Sequence, residues 1–244
     1  MITDPGQDPM GQAMLDYYHG HLNAEVRVFS NVAEEDIIAA KYLFRNSAGM
    51  PAWERRALDE CEGRVLDIGA GAGSHALALQ ARGHEVVAMD ISPGAVQVMK
   101  ARGVHQAIHA SIWDYEEGGF DTLLMLMNGI GLVGDLNGLL QFLHHARKLL
   151  VEGGQILLDS SDIAYLFAHN DKAIELLLQP QYYGIVEYQM AYEKTRSKRF
   201  KWLFIDFKKL KEIARKAAYH IELLEEGDHF QYIARLIPYK NLNT

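Results

Sequence analysis

A single cysteine, Cys61, rules out an internal disulfide in this 244-residue chain and fits a reducing cytoplasm. No uninterrupted apolar run approaches about 18 residues, and no basic stretch leads into an apolar core at the start. The sequence therefore argues against a membrane span, a membrane partner and an export signal. Positive charge is also in short supply. With 24 Lys and Arg against 32 Asp and Glu, the formal net charge is −8. A surface of that sign repels polyanions, which argues against nucleic acid as a partner. Homodimerisation is left open by composition. Apolar residues, by contrast, are plentiful: at 49% of the chain they suffice for one sizeable core and require no second domain.

The densest signal is the run Arg64-Val65-Leu66-Asp67-Ile68-Gly69-Ala70-Gly71-Ala72-Gly73-Ser74-His75. Its apolar start suits a buried parallel strand, and the glycines let backbone come close to a ligand at the turn into a helix. A dinucleotide fingerprint needs its third glycine where this chain has Ser74, and a pyrophosphate would meet the negative charge of Asp67. A ligand with a cationic amino-acid end is favoured there instead. The pattern D-x-G-x-G-x-G resembles motif I of the class I S-adenosylmethionine-dependent methyltransferases, whose cofactor carries an ammonium and a sulfonium and no phosphate. The resemblance implies that Asp67, Gly69, Ala70, Gly71 and Gly73 bind that cofactor.

Residues 75–82 read as a helix stopped by Gly83, and 85–90 as a second strand ending on Asp90, 23 positions after Asp67. An acid at that strand end can accept hydrogen bonds from both ribose hydroxyls, the role the resemblance implies for it, with Ile91 beside it. Ser92 and Pro93 supply a capping hydroxyl and first-turn proline for a helix over 94–102, and 104–109 read as a third strand. Next comes the position where the family sets an acid or amide against the adenine amino group, followed by an apolar residue on the ring. This chain offers Ser111 and Ile112; the Ser111 hydroxyl, Asp114 or a backbone group can carry the polar contact.

Residues 120–128 are apolar enough for a central strand buried on both faces, with the methionines as core filler. In the family the loop that follows faces the transferring methyl group, which adds Asn128 to the implied cofactor set. The two prolines and the aromatic of an N-P-P-Y motif are absent, which argues against adenine-, glutamine- or cytosine-type N-methylation. A helix over 136–150 carries His144 and His145, but adjacent helical residues point about 100° apart and no acid lies at i+3 or i+4 on the same face. No metal site is assigned. Residues 155–159 read as a fifth strand.

Two alternating runs, 182–192 and 200–205, flank a basic turn at 194–199 and read as a hairpin with a solvated tip. Asp206 can cap a helix over 207–218, and strands over 220–224 and 230–237 close the chain around Glu226-Gly227-Asp228. Ahead of the glycine motif, 10–23, 34–44 and 50–61 read as helices, and the first ten residues as a flexible leader. The polar aromatics and cation of that region, Tyr17, Tyr18, Tyr42 and Arg45, are candidates for the substrate pocket. Should the nucleophile need a base, His19, Tyr17, Tyr18 and Asp162 are candidates, and no catalytic residue is assigned.

Together with the resemblance, these readings imply an α/β fold. It is a Rossmann-like, doubly wound, seven-stranded mixed sheet, mostly parallel with a terminal antiparallel hairpin. An N-terminal helical cap (1–60), a cofactor-binding core (61–164), an inserted hairpin and substrate region (165–206) and closing elements (207–244) form one domain. The implied reaction moves a methyl group from S-adenosyl-L-methionine to an O, N or C nucleophile of a small molecule. It leaves S-adenosyl-L-homocysteine and needs no metal. Two other classes stay open: a non-catalytic binder of the same cofactor, and an NAD(P)-dependent oxidoreductase, which Ser74, Asp67 and the lack of a second phosphate site oppose.

Overall fold

The computed structural model describes residues 2, 4–167, 181–227 and 230–240. The chain begins with α1 (Pro9–Tyr18), β1 (Glu25–Ser30), β2 (Asp36–Ala39) and α2 (Ala52–Asp59). Alternating elements follow: β3 (Val65–Ile68), α3 (Ser74–Ala81), β4 (Val86–Asp90), α4 (Pro93–Ala101), β5 (Gln106–His109), β6 (Phe120–Met125), α5 (Leu136–Leu149) and β7 (Leu150–Ser161). The rest contains β8 (Ile185–Tyr192), β9 (Thr195–Arg196), β10 (Phe200–Leu203), α6 (Phe207–Lys216), β11 (Tyr219–Glu226) and β12 (Gln231–Pro238).

Seven strands form a mixed sheet in the order β11-β12-β7-β6-β3-β4-β5. The pairs β4–β5 and β6–β7 are parallel, and β12 runs antiparallel to both β7 and β11. This is the Rossmann-like arrangement that the alternation of apolar runs and helical periods implies. Every residue of β3 is buried, as a strand covered on both faces requires. The chain falls into two compact units, Met1–Pro51 with Asp67–Tyr115 and Glu187–Phe200, and Ala52–Leu66 with Glu116–Val186 and Lys201–Thr244.

In the first unit, the all-helical reading of the N-terminal region is corrected. Residues 25–30 alternate, with Val26 and Val28 buried and Arg27 outward, and β1 pairs antiparallel with β2 on one side and β8 on the other. The helix read over 34–44 is instead β2 followed by a 3-10 turn at Ala40–Phe44, because β1 offers Ile37 and Ile38 a ladder partner. The first strand of the inserted hairpin thus completes a sheet begun by the N-terminal region, in the order β10-β8-β1-β2 with β9 on β8. The flexible leader is also overturned. Asp8 is 1% exposed and caps α1, which starts at once with Pro9.

In the second unit, α5 buries Leu139, Phe142, Leu143, Ala146 and Leu149 at helical spacing. The buried Tyr219 donates to the Leu143 carbonyl at 2.8 Å. Asp206 caps α6 through Lys209 N–H, and β11 and β12 form the closing hairpin; Asp228 of its turn lies outside the described residues. The strand read over 120–128 stops at Met125. Met127 is no core filler: it has φ 62° and is 36% exposed.

Candidate active site

The glycine loop leaves β3 and is fixed from below, where Gly69 N–H and Ala70 N–H both donate to the Met89 carbonyl, at 2.9 and 3.0 Å. Gly69 and Gly71 have φ 76° and 55°, a region that L side chains avoid, and a Cβ on either would meet nothing within 4 Å. Asp90, half-buried at the end of β4, accepts from Gly71 N–H at 2.9 Å on one oxygen and from Ser92 N–H at 2.8 Å on the other. A carboxylate has about four acceptor sites, so each oxygen retains one for a ribose hydroxyl. Burial holds its proton affinity above the ordinary carboxylate range, Asp8 adds to the rise, and the Ser92 and Gly71 amides oppose it.

Asp67 is 2% exposed, and its Oδ2 has no hydrogen-bond partner among the described residues. Burial pushes its pKa up to about 6; Asp90 raises it further, while His75 and the Ala76 amide lower it. An orphaned buried oxygen beside two glycines with open space fits a ligand whose cationic end reaches the acid. The residues present therefore fit S-adenosylmethionine, whose amino-acid end is cationic and which carries no phosphate.

Ser74 shows why the dinucleotide glycine is missing. Its hydroxyl donates to the Leu43 carbonyl at 2.6 Å and accepts from Arg102 Nη1 at 3.2 Å. The same guanidinium donates to the carbonyls of Ala72, at 2.5 Å, and Phe44, at 3.3 Å, tying the loop to the 3-10 turn of the N-terminal region. Gly73 precedes α3 at its N-cap position, in left-handed conformation. Ser111 is buried and its Oγ accepts from Trp113 N–H, leaving the hydroxyl proton to donate elsewhere. Ile112 is buried, whereas Ile91 and Trp113 are largely exposed.

The substrate candidates all lie in the N-terminal region of the first unit. Tyr17 packs against the Phe44 ring at 4.7 Å, and the Tyr18 hydroxyl donates to the Ala101 carbonyl at 3.1 Å. Arg45 stacks over the Tyr42 ring at 4.1 Å and donates to that residue's carbonyl. His19 is the exposed C-cap of α1.

In the second unit, the chain after β6 makes a strained corner, Met127 and Asn128 both lying at positive φ. Asn128 N–H donates to the buried Asp159 carboxylate at 2.6 Å; the Asn128 side chain accepts from Ser160 Oγ and donates to the Leu203 carbonyl. Sequence reasoning missed the cluster beyond it. Tyr182 donates to Asp206 at 2.6 Å, and Tyr183 to Asp162 at 2.8 Å. Burial raises both tyrosine pKa values, and the carboxylates that accept their protons hold them there. The adjacent tyrosines before β8 are the one signal for it in the sequence, and they read there as the start of the strand. Among the described residues, no group of three or more His, Cys, Asp or Glu is placed to hold a metal, and no helix is long and apolar enough to cross a membrane.

A family profile described as "Methyltransferase domain" matches residues 65–154, from β3 into β7. The curated cypemycin N-terminal methyltransferase of a Streptomyces species is 28% identical over 144 residues. That match covers 56% of this chain and spans 58% of the relative's length. An S-adenosylmethionine-dependent methyltransferase from Clostridium acetobutylicum shares the fold at 12% identity, with a TM-score of 0.57 over 76% of this chain and 90% of that one. The crystal structure of an S-adenosylmethionine-dependent methyltransferase from Bacteroides fragilis, in complex with S-adenosyl-L-homocysteine, covers 98% of both chains at 43% identity and a TM-score of 0.90. With likeness of that extent over almost the whole chain, the protein belongs to the S-adenosylmethionine-dependent methyltransferases.

Proposed function

We propose that this methyltransferase acts on a small molecule and that, in the first unit, it holds its cofactor with Asp67, the loop from Gly69 to Gly73, Asp90, Ile91, Ser111 and Ile112. The observation that carries the cofactor assignment is the unpartnered, buried Oδ2 of Asp67 beside the open glycine loop. When bound, S-adenosylmethionine supplies the electrophilic methyl group. The chain's own part is positioning: Asp67 compensates the ammonium, Asp90 orients the ribose, and the glycines admit the ligand to backbone distance. Positioning of this kind can contribute several kcal/mol to the rate. Tyr182 and Tyr183 hold their protons too firmly to act as bases, so a nucleophile that must lose a proton has to give it to another group.

A net charge of −8 supports an acceptor that is no polyanion. The name of the Streptomyces relative adds one class to test, the α-amine at a peptide N-terminus. Calorimetry with S-adenosylmethionine, S-adenosylhomocysteine and NAD tests the cofactor: the first two bind and NAD does not. Tight NAD binding without response to either adenosyl ligand overturns the assignment. Release of S-adenosylhomocysteine over a panel of small hydroxyl, carboxyl and amine acceptors, with short peptides included, tests the acceptor. Turnover on the peptides alone would replace the small-molecule reading, and background release throughout would favour a non-catalytic binder.

A further inference from the structure

We infer that Asp8 is a positioning residue for the cofactor, holding the ribose-binding carboxylate of Asp90 through Ser92; the inference rests on the ribose role proposed for Asp90. Three observations in the first unit carry it. Asp8 is buried, and its Oδ1 accepts from Gly11 N–H at 2.9 Å, capping α1. Its Oδ2 accepts from the Ser92 hydroxyl at 2.7 Å and from Gly94 N–H at 3.3 Å, in the first turn of α4. Ser92 in turn donates its own N–H to Asp90 Oδ1 at 2.8 Å, so one serine joins the buried carboxylate of Asp8 to the half-buried one of Asp90.

One carboxylate can reach both helix starts because α1 and α4 meet backbone to backbone. A Cβ on Gly94 would stand 2.7 Å from the Cα, C and O atoms of Gly11. Two helix N-termini stabilise the negative charge of Asp8, and the corner it grips is held again when Ile2 N–H donates to the Ile91 carbonyl at 3.1 Å. Asp90 is thereby fixed at both oxygens, by Gly71 N–H and Ser92 N–H. Without Asp8, Ser92 keeps its cap bond from Ala95 N–H but loses the acceptor of its hydroxyl proton, and the backbone N–H that holds Asp90 is less firmly placed.

Charge gives the test a readout that a purely structural role would not move. The charged groups around Asp90 are Asp8, which raises it, and Asp67, which Asp90 itself raises, with the His109 ring 2.8 Å from the neighbouring Ile91 carbonyl. Asp90 must be ionised to accept from two hydroxyls, so affinity is present above its raised pKa and lost as pH falls through it. The negative charge of Asp8 contributes to that rise, and its removal moves the loss to lower pH.

The experiment measures S-adenosylhomocysteine affinity by calorimetry from about pH 5 to 9, with melting temperatures, for the full-length wild type, D8N, D8S, S92T and D90A. D8S retains an N-cap acceptor for α1 and keeps the test available if D8N does not fold. The expected result is a loss of about tenfold in affinity at neutral pH for D8N and D8S, the scale of one hydrogen bond to a charged group. The acid limb of both moves to lower pH, while S92T binds like the wild type. D8N or D8S folded, with wild-type affinity and an unmoved acid limb, overturns the inference while the cofactor assignment stands. Wild-type protein that fails to bind at all overturns the cofactor assignment itself, and D90A with undiminished affinity removes the ribose role on which the inference rests.

Discussion

Asp67 carries its charge against its surroundings, since burial outweighs the help of His75 and the Ala76 amide. Its folded pKa of about 6 lies above its ordinary value of 3.8, so the folded state binds this proton more tightly than the unfolded chain. Stability therefore falls as pH rises from the unfolded value through about 6, and the rise corresponds to about 3 kcal/mol at neutral pH. Asp67→Asn is expected to stabilise the free protein by up to that amount at about pH 7.5 and by little at about pH 4, while weakening S-adenosylhomocysteine binding. Urea unfolding at the two pH values checks the first part, and equal stability of mutant and wild type at about pH 7.5 would show that burial does not oppose the charge. At this scale the sequence is readable where the signal is local. Asp67 and Asp90 stand at the ends of apolar runs, one of them directly before the glycines. Asp8 reads as part of a leader because its partners Ser92 and Gly94 lie 84 and 86 positions away.

Among the elements, helices with caps and strands with continuous apolar runs are legible: α3 to α6 and β3 to β7 fall within a few residues of their readings, although β7 starts earlier, at Leu150. The N-terminal strands are not, because β1 and β2 are short and depend on a ladder that β8 completes from far along the chain. The contact between α1 and α4 is equally invisible, for a glycine in the first turn of a helix reads as neutral until another backbone is seen against it. Gly94→Ala is expected to cost about 1 to 3 kcal/mol through overpacking against Gly11. The same change should lower S-adenosylhomocysteine affinity by pushing Asp8 off Ser92. Denaturant unfolding and calorimetry measure the two effects, and a stable mutant with normal affinity would show that α1 can move aside without disturbing the ribose corner.

For the molecule as a whole, a ligand that binds only the folded state shifts the unfolding equilibrium by mass action. S-adenosylhomocysteine at about a hundredfold its dissociation constant adds about 2.7 kcal/mol. A chain of 244 residues moves by roughly 2 to 4 °C per kcal/mol, so the melting temperature should rise by about 5 to 10 °C. NAD should give no shift, because Ser74 and Asp67 occupy the positions where a pyrophosphate needs backbone and the absence of negative charge. The size of the shift should also depend on pH. Below about 6 Asp67 becomes protonated and no longer compensates the ligand's ammonium, so the stabilisation shrinks there even at fixed ligand concentration. A thermal scan of the free and ligand-bound protein across that range separates the contributions. In Asp67→Asn the shift should be smaller than in the wild type, with only the acid limb of Asp90 left in its pH dependence, and a mutant that retains the full wild-type pH dependence would assign the titration to a group other than Asp67.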